Sequence, residues 1–501
     1  MRVARALLVP ILVLVAGCEP PRRNQELAPA DLRADHGYRD RERPGQVLPD
    51  HHVVLTFSGG GTRAAALAQG VLRELAATPI RDDRTMLDEI DQISSVSGGS
   101  VTAANFVANG RDSFDAFERD FLRHDGMSEL FWGVLNPLNW PRLWTTAYSR
   151  IDLHIAMLDR LVFHGKTFAD LPHDADSPFL ILNAADMTSG MPFTFTQSQF
   201  DLIWSDLSSL PVAVAVAASS AFPVGMTPVT LVNHAPCPAQ AQNPRMIARV
   251  GLDQAEPDYA DPASGRDRAD TVWVDPDGAE YPRRSRGLRE SGLLNADGRK
   301  RFVHLLDGGI ADNLGLGEPL ELVYARGQDG TPPRGADLDF LVVNARAEGW
   351  TDRDTSGAPP GILAMLQTSI DASIDGRSGG LEAQLATLPI LARSLGSDRR
   401  VSTTYLAFEM IRDPACREAF QDLATAWTLA DYQIDALLEL GSAMLRAQPT
   451  WRALVESAGG AVGPDSAGSI ASPGQDRAAQ ACRRLLHPRA PMPPLLYGSA
   501  S

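Results

Sequence analysis

The sequence predicts an α/β fold with a mostly parallel central sheet and helices on both faces. Short apolar runs rich in β-branched residues alternate along the chain with alanine- and leucine-rich stretches of helical spacing. Glycine-rich turns follow several of the apolar runs directly. Strands that alternate with helices in this way are typical of a parallel sheet that is covered on both sides.

The individual elements follow from these runs. The predicted strands cover 52–57, 90–94, 179–183, 302–306, 338–344 and 404–409. The predicted helices include 63–76, 101–108 and 429–447. With 501 residues, of which 44% are hydrophobic and 22% charged, the chain has ordinary globular composition and room for one large domain or several smaller ones.

The charge balance restricts the partners. The chain carries a formal net charge of −16, and phosphate backbones are bound by an excess of Lys and Arg. We therefore expect no nucleic-acid partner, and no polybasic patch for anionic membranes.

The N-terminus predicts a targeting segment. Arg2 and Arg5 precede an apolar run over 6–15, which is about half the length that a membrane-spanning helix needs. The run ends in Val-Ala-Gly before Cys18, which resembles the lipobox of bacterial lipoproteins. That resemblance implies lipidation of Cys18 and a membrane-anchored location in the bacterial cell envelope, facing the periplasm; a plain signal peptide is the alternative.

A first motif, Ser58-Gly59-Gly60-Gly61-Thr62-Arg63, lies between a predicted strand and a predicted helix. Three glycines allow backbone N–H groups to approach an anion, and the helix N-terminus adds positive potential. The pattern lacks the Lys of a phosphate-binding P-loop and the spacing of a dinucleotide loop. Read alone, it equally fits a tight structural turn.

A second motif, Ser95-Val96-Ser97-Gly98-Gly99, also joins a strand to a helix. A serine with small neighbours at such a turn is typical of a nucleophile elbow, which exposes the serine Oγ at a helix N-terminus. Ser95 stands where the elbow pattern usually has its first glycine.

A third motif, Asp307-Gly308-Gly309, follows the predicted strand over 302–306. We expect that strand to be parallel, which would put Asp307 at the edge of the sheet where α/β proteins bind ligands. An Asx turn is the alternative for this motif in isolation.

Together the three motifs supply a nucleophile, an acid and an oxyanion loop, in an order that resembles the patatin-like phospholipase family. Ser97 and Asp307 are 210 residues apart, and the segment over 213–228 resembles the family's Ala-Ser-x-Ala-Phe-Pro segment. The likeness extends over about 51–345 and more weakly to about 447. Ala64 departs from the glycine that usually follows the family's Arg or Lys.

The resemblance implies a patatin-like three-layer architecture and a serine acyl hydrolase of the phospholipase A or lipid esterase type. Ser97 and Asp307 would form a catalytic dyad without histidine, and the N–H groups of Gly59, Gly60 and Gly61 would hold the oxyanion. Arg63 would support this loop. We expect no cofactor and no metal, and an acyl ester such as a phospholipid as substrate.

Three alternatives remain at this point. A lysophospholipase or a carboxylesterase for non-lipid substrates would use the same residues, and a catalytically inert lipoprotein could bind lipids or partners on the same fold. His304 is the histidine closest in sequence to Asp307, but three positions along a strand place it on the opposite face. Protein partners are not predicted.

The resulting domain organisation has four parts. We predict a signal peptide over 1–17, a flexible tether over 18–50, a patatin-like hydrolase domain over 51–450 and a partly disordered C-terminal extension over 451–501. A polar stretch over 233–300 is predicted to be a surface insertion.

Two further features stay open in the sequence. The aromatic stretch over 131–148 fits a cap that contacts acyl chains or a membrane, and it equally fits core packing. Of Cys237, Cys416 and Cys482, two could pair in an oxidising compartment, and a Cys416–Cys482 bond would join the C-terminal region to itself.

Overall fold

The structure is a computed structural model, and it describes most of the chain between Arg23 and Pro488. The described residues are 23–28, 31, 36–40, 47–48, 50–145, 148–172, 177–223, 225–234, 300–320, 337–347, 361–394, 400–463 and 475–488. The predicted signal peptide, Cys18, Cys237 and nearly all of the predicted insertion over 233–300 lie outside them.

The strands are short and mostly buried. They are β1 (Gln25–Glu26), β2 (His51–Phe57), β3 (Ile90–Val96), β4 (Phe179–Asp186), β5 (Pro192–Thr194), β6 (Ser205–Asp206), β7 (Val229–Val232), β8 (Phe302–Asp307), β9 (Asp337–Asn344) and β10 (Val401–Ala407). Every predicted strand is present, with ends that differ by a few residues.

The α-helices account for most of the remaining described residues. They are α1 (Gly61–Ala77), α2 (Ser97–Asn109), α3 (Phe114–Phe117), α4 (Gly126–Leu135), α5 (Trp140–Leu143), α6 (Arg150–Leu158), α7 (Gln197–Leu202), α8 (Val212–Ser219), α9 (Gly309–Asp312), α10 (Ile362–Ser394), α11 (Pro414–Gln421), α12 (Asp431–Ala447), α13 (Pro449–Ser457) and α14 (Gln475–Leu486). None of the helices in the described ranges is both long enough and apolar enough to cross a bilayer.

The central sheet has the strand order β10-β9-β2-β3-β4-β8-β7, and β5 pairs with β4 outside this path. The five strands from β10 to β4 are parallel to one another. The strand β8 pairs antiparallel with both β4 and β7. The mostly parallel α/β fold is therefore confirmed.

One detail of the prediction is wrong: the strand that leads to Asp307 is antiparallel, not parallel. It overlaps β4 only at the carboxyl end of β4, with Ala184 opposite Asp307 and Asp186 opposite Leu305. The last residues of β8 pair with the last residues of β4. Asp307 therefore still lies at the edge of the sheet where the parallel strands end.

The sheet is covered on both faces, as alternation along β2 requires. Val53, Leu55 and Phe57 belong to the larger core, which also contains apolar residues of α1, α2, α8 and α12. Val54 belongs to a smaller core on the other face, with Leu314 and with Leu385 of α10. The expected three layers are therefore present.

Part of the segment that we predicted as a free tether is packed against the domain. The strand β1 pairs with β6. Tyr38 is buried and its ring stacks on Phe179 at 4.9 Å between centroids. At the other end of the chain, a Cys416–Cys482 disulfide joins α11 to α14, which packs on α12.

Candidate active site

The three sequence motifs converge at one edge of the sheet. The strand register places Phe57 beside Ser95, Val96 beside Asn183, and Ala184 beside Asp307. The residues that follow β2 and β3 are the glycine loop and Ser97, so both lie beside the end of β8. The sheet therefore assembles groups that are far apart in the sequence.

Ser97 occupies a sharp turn between β3 and α2. Its φ is +51°, a left-handed conformation that is uncommon for residues other than glycine. Gly98 follows in close contact with the glycine loop, since a Cβ there would collide with the carbonyl oxygen of Gly61. This backbone geometry is that of a nucleophile elbow, which directs the serine side chain away from the sheet at a helix N-terminus.

Asp307 is buried at the end of β8 and faces the Ser97 side chain. Burial raises the pKa of Asp307 from 3.8 to about 6, although hydrogen bonds from the Gly309 N–H and the Ser97 hydroxyl oppose that rise. The Gly309 bond measures 2.8 Å to Oδ1. A carboxylate in this environment is ionised near neutral pH and remains basic enough to accept a proton.

The three glycines of the loop differ in how their backbone N–H groups are bound. The Gly59 N–H already donates to Asn313, at 3.2 Å from both its backbone oxygen and its side-chain Oδ1. Within the described part of the chain, the N–H groups of Gly60 and Gly61 have no such acceptor. The Gly59 N–H is therefore bound by Asn313, and the assignment of the three glycines as oxyanion donors stays a prediction.

Comparison with known proteins agrees with this geometry. Residues 55–247 match the family model described as Patatin-like phospholipase. The chain contains a patatin-like phospholipase domain. The matched range includes the glycine loop and Ser97 and ends before Asp307.

The other comparisons add little to the family match. No curated protein matches the chain significantly. Among solved structures, the chain is similar to the heterodimeric complex ExoU-SpcU from the type III secretion system of Pseudomonas aeruginosa. The identity is 14%, the match covers 86% of this chain and 75% of that one, and the TM-score is 0.23. A TM-score this low supports no inference about fold or function.

Arg63 of the patatin-like domain is buried beneath the loop and binds main-chain and hydroxyl groups. Its Nε donates to the Ala345 oxygen at 2.9 Å, one Nη donates to the Leu423 oxygen, and the other donates to Thr425 Oγ1 at 3.1 Å. Burial lowers the pKa of Arg63 to about 10, which leaves the guanidinium charged at neutral pH. These contacts fit the predicted supporting role, because they join the loop to the end of β9 and to the segment after α11.

Ser219 is a residue that the motif search did not single out. Its hydroxyl donates to the Asn183 oxygen at 2.6 Å, accepts from the Ser97 N–H at 2.9 Å, and lies 2.9 Å from Ser100 Oγ. Only the resemblance of the surrounding Ala-Ser-Ser-Ala-Phe-Pro segment to the patatin-like family pointed to this region. Ser219 thus connects the elbow of the patatin-like domain to β4.

The histidines that the structure describes bind elsewhere than at Ser97 and Asp307. Among the described residues, no histidine hydrogen-bonds to Ser97 or Asp307. His304 lies on the opposite face of β8, where its Nδ1 is 2.9 Å from Thr230 Oγ1. His154 is buried, its Nε2 lies 3.1 Å from Ser220 Oγ, and burial lowers the pKa of His154 to about 4, so this ring is neutral.

A cavity of about 530 Å³ opens elsewhere in the patatin-like domain. It is lined by Asn105 and Asn109 of α2 together with Arg119, Arg123 and Arg160. Asn109 is twelve helical positions from Ser97, or about 18 Å at the rise of an α-helix. This cavity, whose lining includes neither Ser97 nor Asp307, is therefore separate from them. In the described ranges, no group of three or more His, Cys, Asp or Glu is arranged to hold a metal ion.

Proposed function

We propose that this protein is a serine acyl hydrolase of the phospholipase A or lipid esterase type, with Ser97 as nucleophile and Asp307 as its base. The observation that carries the proposal is the pair itself: a serine in a left-handed elbow faces a buried carboxylate whose pKa is raised to about 6. The patatin-like domain supports a lipid ester as the substrate class.

In the first half-reaction, Ser97 Oγ attacks the ester carbonyl while Asp307 takes the hydroxyl proton. The N–H groups of Gly60 and Gly61 donate to the tetrahedral oxyanion, and one such donor is worth about 3 kcal/mol. When the intermediate collapses, protonated Asp307 gives its proton to the leaving alkoxide. An alcohol departs and the acyl group stays on Ser97 as an ester.

In the second half-reaction, Asp307 takes a proton from water as the water oxygen attacks the acyl-Ser97 carbonyl. Collapse of the second intermediate breaks the bond to Ser97 Oγ and releases the carboxylic acid. The Asp307 proton returns to Ser97, which restores the starting state. Each step uses the same base and the same two backbone donors.

The direct test is hydrolysis of a soluble p-nitrophenyl ester together with labelling by a fluorophosphonate probe. Ser97→Ala and Asp307→Asn should each abolish hydrolysis, and Ser97→Ala should abolish labelling. Ser209→Ala, a substitution at a serine whose hydroxyl donates to the Asp206 oxygen, is the matched control and should retain both. Unchanged rates in Ser97→Ala would refute the dyad, whereas a parent that neither hydrolyses the ester nor takes the label would favour the inert lipoprotein.

Comparing diacyl with monoacyl phospholipids then separates a phospholipase A from a lysophospholipase. A rate on water-soluble esters that exceeds both would indicate a carboxylesterase for non-lipid substrates. The Ser97→Ala variant serves as the blank for every substrate.

We also propose that the mature protein is anchored to the bacterial envelope through lipidated Cys18, facing the periplasm. The support is the sequence before Cys18, which resembles a lipobox. Acyl chains on that residue would hold the protein on a membrane despite its charge, at about 0.8 kcal/mol per buried CH₂. Cys18→Ala should lose incorporated fatty acid; a parent that incorporates none, or a Cys18→Ala variant that still incorporates it, would refute the anchor.

A further inference from the structure

The exposed apolar side chains of this protein are concentrated in one short segment. Among the described residues, twelve large hydrophobic side chains are exposed, and seven of them lie within 127–144, here called the aromatic segment. These seven are Met127, Phe131, Trp132, Leu135, Leu138, Trp140 and Trp144. Core packing, one of the two sequence-based alternatives for this stretch, is therefore excluded. A contiguous exposed patch of this kind marks an interaction surface.

The segment has one inner and one outer side. On α4, Leu130 is buried and Gly133 packs against Leu153 of α6. Phe131 and Trp132 lie on the outer side, 58% and 65% exposed, and Trp144 is 82% exposed. The side chains are thus held outward by a helix that is itself docked onto the domain.

The outer rings also contact one another. Phe131 and Trp132 meet edge to face with centroids 5.5 Å apart. Trp140 stacks on Trp144 at 6.2 Å, and its indole N–H donates to the Val134 oxygen at 3.2 Å. The patch is therefore an ordered surface.

The charges on and beside the segment favour a phospholipid surface over a soluble acidic or basic partner. Within 127–144 the only ionisable side chains are Glu129 and Arg142, which are opposite in sign. Glu129 is held at the base of α4 by an ion pair with Arg160 and by a hydrogen bond of 2.7 Å with His124 Nε2. A chain of net charge −16 therefore presents an apolar face whose two ionisable side chains cancel in charge. Indole, phenyl and leucine side chains of this kind partition to the boundary between lipid headgroups and acyl chains.

The segment is also connected to the candidate active site. The N–H of Gly126, at the start of α4, donates to the Trp427 oxygen at 3.1 Å. The neighbouring Ala426 oxygen accepts from the Thr62 N–H at 2.9 Å, directly beside Gly61 of the glycine loop. The start of α4 and the glycine loop that would hold the oxyanion are thus hydrogen-bonded to two consecutive residues, Trp427 and Ala426.

We propose that the aromatic segment over 127–144 docks on a phospholipid bilayer surface by inserting its tryptophan and phenylalanine side chains at the headgroup boundary. It thereby brings the candidate active site to ester bonds in that bilayer. The second part rests on the proposed function; the docking does not. Docking would be independent of the predicted anchor at Cys18 and insensitive to salt, because it depends on apolar side chains.

The test uses the full chain with Cys18→Ala, so that no acyl anchor contributes. Binding to unilamellar phosphatidylcholine vesicles, prepared without sonication, is measured by co-sedimentation at low and high salt. Adding Trp132→Ser and Trp144→Ser should lower the vesicle partition coefficient by at least about tenfold, since two exposed indoles lose their burial in lipid. Met187→Ser with Met365→Ser, which removes two exposed apolar side chains outside the segment, is the matched control and should bind like the parent.

Equal binding of the tryptophan variant and the parent would overturn the proposal, as would equal loss in the methionine control. A parent that does not bind vesicles but forms a dimer that Trp132→Ser and Trp144→Ser dissociate would overturn it in favour of a second copy.

Circular dichroism and thermal unfolding check that the variants fold. Hydrolysis of the soluble p-nitrophenyl ester should be unchanged in the tryptophan variant, while hydrolysis of vesicle phospholipid should fall with binding. Absence of hydrolysis of either substrate, with vesicle binding intact, would instead refute the proposed function.

Discussion

The backbone N–H of Ser97 donates a hydrogen bond to Ser219 Oγ at 2.9 Å, across 122 residues of sequence. Ser97 is held in a left-handed conformation, which costs about 1–3 kcal/mol for a residue with a side chain. The Ser219 hydroxyl is itself fixed because it donates to the Asn183 oxygen at 2.6 Å. The strained elbow is thus tied to β4 through a single buried hydroxyl.

Ser219→Ala should therefore weaken both folding and turnover. The substitution leaves the Ser97 N–H and the Asn183 oxygen without their partner, which costs about 1–3 kcal/mol in a buried site. We expect kcat on a soluble ester to fall at least about tenfold with little change in KM, measured alongside urea unfolding. Ser100→Ala removes only one contact to the same hydroxyl and should have a smaller effect. Unchanged kcat in Ser219→Ala would show that the elbow does not depend on this bond.

The rate of ester hydrolysis should depend on the ionisation of Asp307. Because the carboxylate is the active form, kcat/KM should fall about tenfold per pH unit below its pKa of about 6 and level off above it. The measurement is a pH–rate profile on a soluble ester with a pH-independent leaving-group assay. If kcat/KM instead fell with an apparent pKa near 4, Asp307 would not be the base, or its carboxylate would not be desolvated.

The same shift predicts a pH-dependent stability. Since folding raises the pKa of Asp307 from 3.8 to about 6, the folded state holds this proton more tightly than the unfolded chain does. The favourable contribution is complete below pH 3.8 and is lost as the pH rises through 6. Asp307→Asn should thus be more stable than the parent at pH 8, by about 3 kcal/mol, and the gain should shrink towards pH 4. Urea unfolding at both pH values tests this; a gain that is equal at both would contradict it.

How far the sequence predicts this site depends on whether each feature is local. The strand before Ser97 and the glycine turn after it are encoded within a few residues, so the elbow is predictable. The direction of β8 is not, because a buried apolar run has the same pattern in a parallel and an antiparallel strand. Its position is settled by pairing with Ala184, more than a hundred residues away.

The hydrogen bond made by Gly59 is unpredictable from the sequence for the same reason. The glycine pattern is compatible with three oxyanion donors, but the Gly59 N–H is bound by Asn313, 254 residues further along. Likewise, the composition of the aromatic segment is the same whether Trp132 is in a core or on a surface. Its exposure follows only from the way Leu130 docks α4 onto the domain. Local patterns therefore predict the chemistry, and long-range packing determines which groups are left available for it.

Arg63→Lys should show whether the glycine loop depends on a guanidinium. Lysine cannot reach Ala345, Leu423 and Thr425 together, because these three acceptors are bound by three different nitrogens of Arg63. We expect a loss of about 2–3 kcal/mol in unfolding free energy and a fall in kcat, as two buried acceptors lose their donors. Urea unfolding and ester kinetics measure the two effects.

The matched control for that experiment is Arg446→Lys. Arg446 is also largely buried, but it pairs with Glu74 between α1 and α12, at 2.7 Å and away from the loop. This variant should lose stability and keep its kcat. Equal loss of kcat in both variants would mean that stability, not loop geometry, limits turnover.

The Cys416–Cys482 disulfide should stabilise the helices that hold the loop on its outer side. It joins residues 66 positions apart, which in the chain-entropy description stabilises the fold by about 4 kcal/mol. The Cys416→Ser and Cys482→Ser double variant should unfold at lower urea concentration, with its kcat on a soluble ester retained wherever it is folded. Reduction of the parent should give the same midpoint as the double variant, since Cys237 is present in both. A parent whose midpoint does not change on reduction would show that this bond does not contribute to stability.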